Sequence, residues 1–201
     1  MRLSLKKQKR DYKPHHWWDP FIVIGPGNSG TSTVARILHT ELGVHMGDRF
    51  RYKADLEQCY YEDLDFKRWD DWFLAGSVPI SEWVVQIKDL IKKRRSSGSF
   101  WGIKHPKASH ILGLYLTLVD DPKLIYCKRP EEDIIQSTIK NYNWSPEQAE
   151  REIRRRVECI DRSITGHNVL LLDFSSYRTD EEITSQIVGA FPYVGQSTTI
   201  K

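Results

Sequence analysis

A glycine-rich loop between a predicted strand and a predicted helix could bind an anion; it reads Gly25-Pro26-Gly27-Asn28-Ser29-Gly30-Thr31-Ser32. The run Phe21–Ile24 before it is short, apolar and mostly β-branched, which predicts a buried strand. From Thr31 onward apolar side chains recur at helical spacing, so we expect a helix to begin there. This order of elements directs backbone N–H groups and the positive end of the helix to one place. The segment therefore predicts a site for a phosphate or a similar oxyanion.

The loop lacks a lysine that loops of nucleoside-triphosphate-binding proteins contain. Gly25 and Gly30 match the two glycines of the pattern G-x-x-x-x-G-K-[ST], but Thr31 occupies the lysine position and Ser32 follows it. The backbone can still hold a phosphate, whereas the ammonium group for β- and γ-phosphates is missing. The pattern therefore argues against an ordinary ATPase.

Charged side chains follow three other predicted strands. The strands are Phe100–Ile103, Leu124–Cys127 and Val169–Leu172, and the residues after them are Lys104-His105-Pro106-Lys107, Lys128-Arg129-Pro130 and Asp173. Ligands of an open parallel sheet collect at the carboxyl ends of its strands. We therefore expect Lys104, His105, Lys128 and Arg129 to surround the loop and to form a site for a phosphorylated ligand.

Helical segments separate these strands, and the alternation is typical of an α/β protein. The predicted helices begin at Thr31, near Phe66 and near Ser81, and then span Ser109–Val119, Pro130–Lys140, Pro146–Ile164 and Asp180–Ala190. We expect Ser145 to be the N-cap of the helix that begins at Pro146. The fold class is thus predicted to be a three-layer, doubly wound, mostly parallel α/β sheet with a phosphate-binding loop, of the nucleoside-triphosphate-hydrolase-like kind.

The chain is predicted to consist of a basic arm and one domain. The arm covers residues 1–18 and ends in His15-His16-Trp17-Trp18, whose tryptophans are expected to pack on the domain. The domain covers residues 19–201 and contains a helical insertion at about 48–98. Residues 43–55 are expected to be loop. Within the insertion, one packed helix face is predicted from aromatic residues at helical spacing: Phe66, Trp69, Trp72 and Phe73.

Composition and charge argue against some classes of partner and against disulfide or zinc sites. The chain has 201 residues with 30 basic and 27 acidic side chains, and its net charge of +3 is too small to indicate nucleic acid. Basic residues cluster in an N-terminal group and at Lys92–Arg95 and Arg154–Arg156; each cluster is interpreted as a solvated tail or helix face. No stretch approaches the roughly 20 apolar residues of a membrane span. The three cysteines are widely spaced, which predicts neither disulfides nor zinc and favours a cytoplasmic protein.

Three motifs together resemble the sulfotransferases that use 3′-phosphoadenosine 5′-phosphosulfate (PAPS). That family has a lysine-free loop, P-[KR]-S-G-T-[ST], which is similar to Pro26–Ser32 with its extra Gly27. It has an arginine followed eight residues later by a serine, as Arg129 and Ser137 are here. Many members also carry a G-x-K-[DTH]-P segment, matched by Gly102–Pro106. The resemblance spans roughly residues 20–192, and a looser part of it includes Tyr177.

The resemblance implies a sulfuryl transfer from PAPS to a hydroxyl or amine of a small molecule or glycan, with adenosine 3′,5′-bisphosphate as product and no metal. It implies that Arg129 and Ser137 bind the 3′-phosphate, and the planar Arg129 guanidinium suits that task. Lys104 is the first choice for stabilising charge on the leaving phosphate. The loop residues implied to cradle the 5′-phosphosulfate are Gly27, Asn28, Ser29, Gly30, Thr31 and Ser32.

The chain departs from the family pattern at Asn28, where the family has Lys or Arg. Asn brings no positive charge, so the enzyme is slow, inactive or compensated by other cations such as Lys104 and Lys107. The acceptor hydroxyl also needs a general base. His105 is the first candidate because imidazole titrates near neutrality, Glu62 is its rival and Asp48 a third choice. A histidine packed at a strand end is an equally good interpretation of His105.

Two other functions stay open. A nucleotide or small-metabolite kinase would share the loop, although the lysine missing at Thr31 counts against it. A catalytically silent nucleotide-binding protein is favoured by Asn28. The acceptor pocket could be lined by aromatic residues of the insertion, namely Phe50, Tyr52, Tyr60 and Tyr61, which could equally be packing residues.

Overall fold

The central sheet has four parallel strands. A computed structural model describes residues 19–53, 58–176 and 178–194. The strands are β1 (Phe21–Ile24), β4 (Gly102–Lys104), β5 (Lys123–Lys128) and β6 (Val169–Asp173), and their spatial order is β4-β1-β5-β6. Since all pairs are parallel, every strand ends at the same edge of the sheet. The four strands predicted from the sequence are confirmed, with ends that differ by one or two residues.

Seven α-helices lie in the described part of the chain. They are α1 (Thr31–Thr40), α2 (Leu64–Leu74), α3 (Ile80–Arg95), α4 (Leu112–Leu116), α5 (Glu131–Tyr142), α6 (Pro146–Ile164) and α7 (Asp180–Ala190). A 3-10 helix, Pro106–Ile111, replaces the first part of the helix predicted over 109–119. Ser145 caps α6 as predicted, with a reciprocal hydrogen-bonded capping box that also involves Gln148.

Helices cover both faces of the sheet. Phe21 and Val23 of β1 pack with α1 and α7 in one apolar core. Ile22 and Ile24, which point to the opposite face, pack with α3, α4 and α6 in a second core. This division follows from the alternation of side chains along a strand. The chain is therefore an α/β protein with helices on both faces of a parallel sheet, although Leu171 of the edge strand β6 is 53% exposed.

The loop predicted over 43–55 is wrong in part, because it contains a strand. β2 (Phe50–Lys53) pairs antiparallel with β3 (Gln58–Asp63), and the register shifts between Phe50 and Tyr52. Tyr61 has a left-handed φ of 51°. The short length of β2, four residues, and its irregular pairing make this pair hard to recognise from the sequence. The pair matters because β3 carries Tyr60 and Glu62 to the edge where the parallel strands end.

Two basic clusters are not purely solvated, contrary to the prediction. Arg94 is 3% exposed and contacts Asp48 and Asp63 at 2.5 Å each. Arg156 is 9% exposed and contacts Glu152. The carboxylates that meet Arg94 come from segments far away in the sequence, which the local pattern does not show. The partner of Arg156 lies four residues earlier on the same helix.

Other predictions concern the helix faces and the termini. Trp72 is 42% exposed and so lies off the predicted packed face of α2, whereas Phe66 is fully buried. The arm of residues 1–18, with its basic cluster, and Tyr177 lie outside the described residues. Within the described ranges, no helix has the length and apolarity needed to cross a membrane.

Candidate functional site

The loop between β1 and α1 leaves the sheet edge in a conformation that needs glycine. Gly30 precedes α1 with a φ of 95°, and a Cβ there would lie 2.7 Å from the Phe174 ring. The Ser29 hydroxyl donates to the carbonyl oxygen of Pro26 at 2.7 Å and is buried inside the loop. No side chain caps the first turn of α1, so its N–H groups stay available to an external acceptor.

A cavity of about 370 Å³ opens beside this loop, and we call it the loop cavity. Its walls are the loop, the end of β3, the residues after β4 and β5, and one face of α5. The lining residues are Gly27, Asn28, Gly30, Thr31, Ser32, Thr33, Tyr60, Glu62, Lys104, Pro106, Arg129, Ser137, Asn141 and Tyr142. The structure thus brings most of the sequence-predicted site residues together. Ser29, His105 and Lys107 do not line it. The expectation that Lys128 surrounds the loop is wrong, because Lys128 lines a separate cavity together with Asp173.

Lys104 lies in the floor of the loop cavity and is 2% exposed. Its Nζ donates to Ser32 Oγ at 3.0 Å, to the Tyr60 carbonyl at 2.9 Å and to Glu62 Oε1 at 3.2 Å. Burial lowers the pKa of Lys104, and the Glu62 carboxylate offsets only part of that effect. The ammonium therefore connects the start of α1 with β3 at the floor of the loop cavity.

Glu62 is held as a counter-ion. It is 3% exposed, and its second oxygen lies 3.4 Å from Arg51 Nη1. With Lys104 on one oxygen and Arg51 on the other, its carboxylate is shared between two cations. Asp48 binds Arg94 and His45 and lines neither the loop cavity nor its neighbour described below. Of the two carboxylates considered as general bases, only Glu62 is at the site.

The Asn28 side chain is tied to α5. Its Nδ2 donates to Thr138 Oγ1 at 3.3 Å, and its Oδ1 accepts from Asn141 Nδ2 at 3.3 Å. Asn28 has a φ of 68°, a left-handed conformation that Asn tolerates better than most residues. Both polar ends of this side chain are thus used in holding the loop against α5.

Arg129 reaches the same loop from the end of β5. Its Nη1 donates to the Asn28 carbonyl at 3.2 Å, and its Nε lies 3.5 Å from Asp133. The Arg129 side chain is 34% exposed. Ser137, two turns into α5, lines the loop cavity together with Arg129. The Arg and Ser separated by eight residues therefore face one cavity.

His105 lies at the centre of a buried polar network instead of in the loop cavity. Its Nδ1 is 3.0 Å from Asp70 Oδ2, and Asp70 Oδ1 accepts from Trp83 Nε1 at 3.1 Å and from the Tyr115 hydroxyl at 2.7 Å. The side chain is 3% exposed and Asp70 is fully buried. The other ring nitrogen, Nε2, is 3.8 Å from Asp71 Oδ1. An aspartate on Nδ1 orients the ring and leaves Nε2 to act on a ligand.

His105 lines a second cavity of about 330 Å³, which we call the Arg156 cavity. Gly27, Glu62, Pro106 and Tyr142 line both cavities, so the two share a wall. Arg156 approaches this wall from α6, with its Nη1 4.0 Å from the position of a Cβ on Gly27. Its Nε and Nη2 contact Glu152 Oε1 at 2.9 and 2.8 Å.

Sequence reasoning missed Asp70 and Arg156. Asp70 is four residues after Phe66 and therefore lies on the packed face predicted for α2, where a carboxylate needs a buried partner. That signal could have identified Asp70. The sequence signal for Arg156 is weaker. Arg156 lies three residues after Ile153 and so on the same face of α6, but only its tertiary contact with the loop shows that it reaches the site.

In the described segments, no group of three or more His, Cys, Asp or Glu side chains is arranged to hold a metal ion. The chain matches no model of a known protein family and none of the curated proteins. The chemistry of the site must therefore be argued from its own residues.

Proposed function

We propose that this chain is a sulfotransferase that moves a sulfuryl group from PAPS to a hydroxyl or amine acceptor. The observation that carries the proposal is that the lysine-free cradle, Lys104, Arg129 and Ser137 line one cavity. A donor with a phosphosulfate at one end and a 3′-phosphate on its ribose needs two anion sites. The cradle with Lys104 offers one, and Arg129 with Ser137 offers the other.

The missing lysine at Thr31 is compatible with a sulfuryl donor. The reacting end of a phosphosulfate carries less charge than a triphosphate with its Mg²⁺. Backbone N–H groups of the loop and one buried ammonium, Lys104, suit that smaller charge. A kinase would need a further cation for the γ-phosphate, and the loop does not supply it at Thr31.

The transfer itself is an in-line displacement at sulfur. The acceptor oxygen or nitrogen forms a bond to sulfur, while the bond between sulfur and the oxygen of the 5′-phosphate breaks. The acceptor proton passes to a base, and the electron pair of the broken bond stays on the bisphosphate product. Lys104 and the loop N–H groups stabilise that charge, and correct positioning of both reactants supplies much of the remaining rate.

His105 is the better candidate for the base. Glu62 is occupied by Lys104 and Arg51, so taking a proton would weaken two ion pairs. Asp70 holds Nδ1, so Nε2 is the nitrogen left to take a proton, and Asp70 stabilises the cation that forms when it does. His105 also lines the Arg156 cavity. Glu62 then serves to hold the Lys104 ammonium in place.

Calorimetry with adenosine 3′,5′-bisphosphate tests the donor site. The bisphosphate should bind wild type more tightly than adenosine 5′-monophosphate does, since the latter lacks the 3′-phosphate. Arg129→Ala should remove that preference, costing about tenfold or more in affinity for the bisphosphate. Arg162→Ala, an exposed arginine on α6, is the matched control and should bind normally. ATP with Mg²⁺ should bind no more tightly than the bisphosphate.

A catalytically silent binding protein is the second candidate, and Asn28 favours it. Both polar ends of Asn28 bond to α5, and the loop has no cation at this position. Incubation with ³⁵S-labelled PAPS and a panel of hydroxyl and amine acceptors separates the two. Bisphosphate binding without any transfer would support the silent protein, whereas indifference to Arg129→Ala would reject both candidates.

A further inference from the structure

The Arg156 cavity shares a wall with the loop cavity, and several of its other lining residues are basic. Four cationic side chains and one histidine line it: Arg51, Lys67, His105, Lys107 and Arg156. Glu62 is its one lining carboxylate among the described residues. The carboxylates that balance the other cations, Asp71 and Glu152, are not among the lining residues. A ligand in the cavity therefore meets the cations first.

Arg156 is built to present one N–H group to this cavity. The residue is 9% exposed, and Glu152 holds Nε and Nη2, which fixes the plane of the guanidinium. Glu152 is itself fixed by His110 Nε2 at 2.9 Å. Nη1 points toward Gly27 and makes no hydrogen bond within the segments that the structure describes. A guanidinium held on one edge and open on the other is a preorganised donor for an oxyanion.

The remaining walls suit a small ring. Trp144 and Ile153 provide apolar surface, and the volume of about 330 Å³ is that of a pocket for one small molecule. Lys107 adds a mobile ammonium, since its side chain is 54% exposed and is held only by Asp71. His105 also lines this cavity, and its Nε2 lies 3.8 Å from Asp71 Oδ1.

We propose that the Arg156 cavity binds the acceptor, and that the acceptor is a small hydroxylated compound carrying an anionic group such as a carboxylate or sulfonate. The inference rests on the proposed sulfotransferase function. Arg156 and Lys107 hold the anionic group, Trp144 packs against the ring, and the hydroxyl is directed toward His105 Nε2 and the wall shared with the loop cavity. A neutral acceptor of the same shape would leave the Arg156 N–H without a partner in a buried site.

A titration of the Trp144 indole N–H signal by NMR tests this without any sulfuryl donor. The probes are 4-hydroxyphenylacetate, 4-hydroxybenzenesulfonate and the neutral 4-hydroxyphenylacetamide, and Trp144→Phe assigns the signal. We expect saturable shifts with both anions and binding of the amide weaker by about tenfold. Arg156→Gln should abolish the preference for the anions while leaving binding of the amide unchanged. Arg155→Gln, its exposed neighbour, should behave as wild type.

Lys107→Gln keeps the test valid if Arg156→Gln does not fold, because the exposed Lys107 side chain can be changed without burying an unpaired group. It should lower anion affinity and spare the amide. Equal binding of anions and amide, or no saturable shift with either anion, overturns the inference. If the bisphosphate binds and the anion preference is absent, only this inference fails. If the preference is present and the bisphosphate does not bind, the sulfotransferase proposal fails and the anion cavity stands.

Discussion

His105 Nδ1 lies 3.0 Å from Oδ2 of the fully buried Asp70, so α2 sets the orientation of a ring that follows β4. A carboxylate accepts hydrogen bonds only, and Nδ1 must therefore carry the proton. The neutral ring then has its lone pair on Nε2, and His105 lines the Arg156 cavity. Asp70 thereby acts as a positioning residue for the proposed base.

Asp70→Asn should reverse the tautomer of His105. The carboxamide oxygen can keep the hydrogen bonds from Trp83 Nε1 and the Tyr115 hydroxyl, which leaves the amide N–H₂ facing His105. Nδ1 must then accept, Nε2 becomes protonated, and the ring can no longer take a proton there. Long-range ¹⁵N NMR should show the exchange of tautomers, and transfer should fall by about 100-fold or more.

Tyr115→Phe is the control for that change. It removes one hydrogen bond to Asp70 and should lower the free energy of unfolding by about 1 kcal/mol while leaving the tautomer as it is. If Asp70→Asn leaves His105 protonated on Nδ1, the positioning role is refuted even where activity falls.

Lys104 should titrate below its usual pKa of 10.5, because burial disfavours the ammonium. Glu62 is the main group that raises the pKa, so Glu62→Gln should lower it further. Between the lowered pKa and 10.5 the unfolded chain binds more protons at Lys104 than the folded chain does. The stability of wild type relative to Lys104→Met should therefore rise with pH in that window.

The measurement is a ¹³C NMR titration of the Cε signals in protein labelled with ¹³C-lysine, with Lys104 assigned from the Lys104→Met spectrum. Exposed lysines, such as Lys93 at 63% side-chain exposure, provide the internal reference. A Lys104 pKa at or above the value of these references would contradict the prediction. So would a pKa that rises in Glu62→Gln.

Local sequence patterns predicted the parallel strands and most helices, because their signals are local. Phe21–Ile24 is an uninterrupted apolar run, and Pro146 after Ser145 defines the start of α6 within a few residues. The pair β2 and β3 was missed although Phe50-Arg51-Tyr52-Lys53 alternates apolar and charged residues as a half-buried strand does. The run has only four residues, and the register of its pairing shifts between Phe50 and Tyr52.

The sequence predicts the site residues that follow strand ends, but not those that helices contribute. Lys104 and Arg129 follow strands that meet at one edge, so topology alone brings them to the loop. Asp70 and Arg156 reach it through helix packing, which depends on tertiary geometry. The partner of Asp70, His105, is 35 residues away in the sequence. The partner of Arg156, Glu152, lies on the same helix, where it predicts only an ordinary surface ion pair.

Gly30→Ala should lower the free energy of unfolding by more than the strain of a left-handed φ alone would. Gly30 has a φ of 95°, and a Cβ would meet the Phe174 ring at 2.7 Å. Gly166→Ala is the matched control, since Gly166 has a φ of 84° but no atom within 4 Å of an added Cβ. The control should cost about 1–2 kcal/mol of unfolding free energy, the strain of the backbone itself.

Gly30→Ala should cost clearly more than the control in urea denaturation, and it should weaken bisphosphate binding because the loop must shift. The excess should shrink when Phe174→Ala removes the ring, which a double-mutant cycle measures. Equal costs for the two glycines, with no coupling to Phe174, would show that the close approach of loop and ring does not constrain the cradle.

Asn28→Lys should separate a slow enzyme from a silent binding protein. The substitution removes the hydrogen bonds to Thr138 and Asn141. It also places a longer, unbranched side chain at a φ of 68°. We expect the free energy of unfolding to fall by about 1–3 kcal/mol. The new ammonium would lie beside the leaving phosphate, so the rate of transfer from labelled PAPS should rise by about tenfold or more at saturating donor.

Asn28→Gln is the control, since it has the same backbone strain without the charge. It should lower the free energy of unfolding without raising the transfer rate. If Asn28→Lys transfers sulfuryl groups at the wild-type rate, the loop charge does not limit this enzyme. If neither wild type nor Asn28→Lys transfers any, the protein is a silent binding protein.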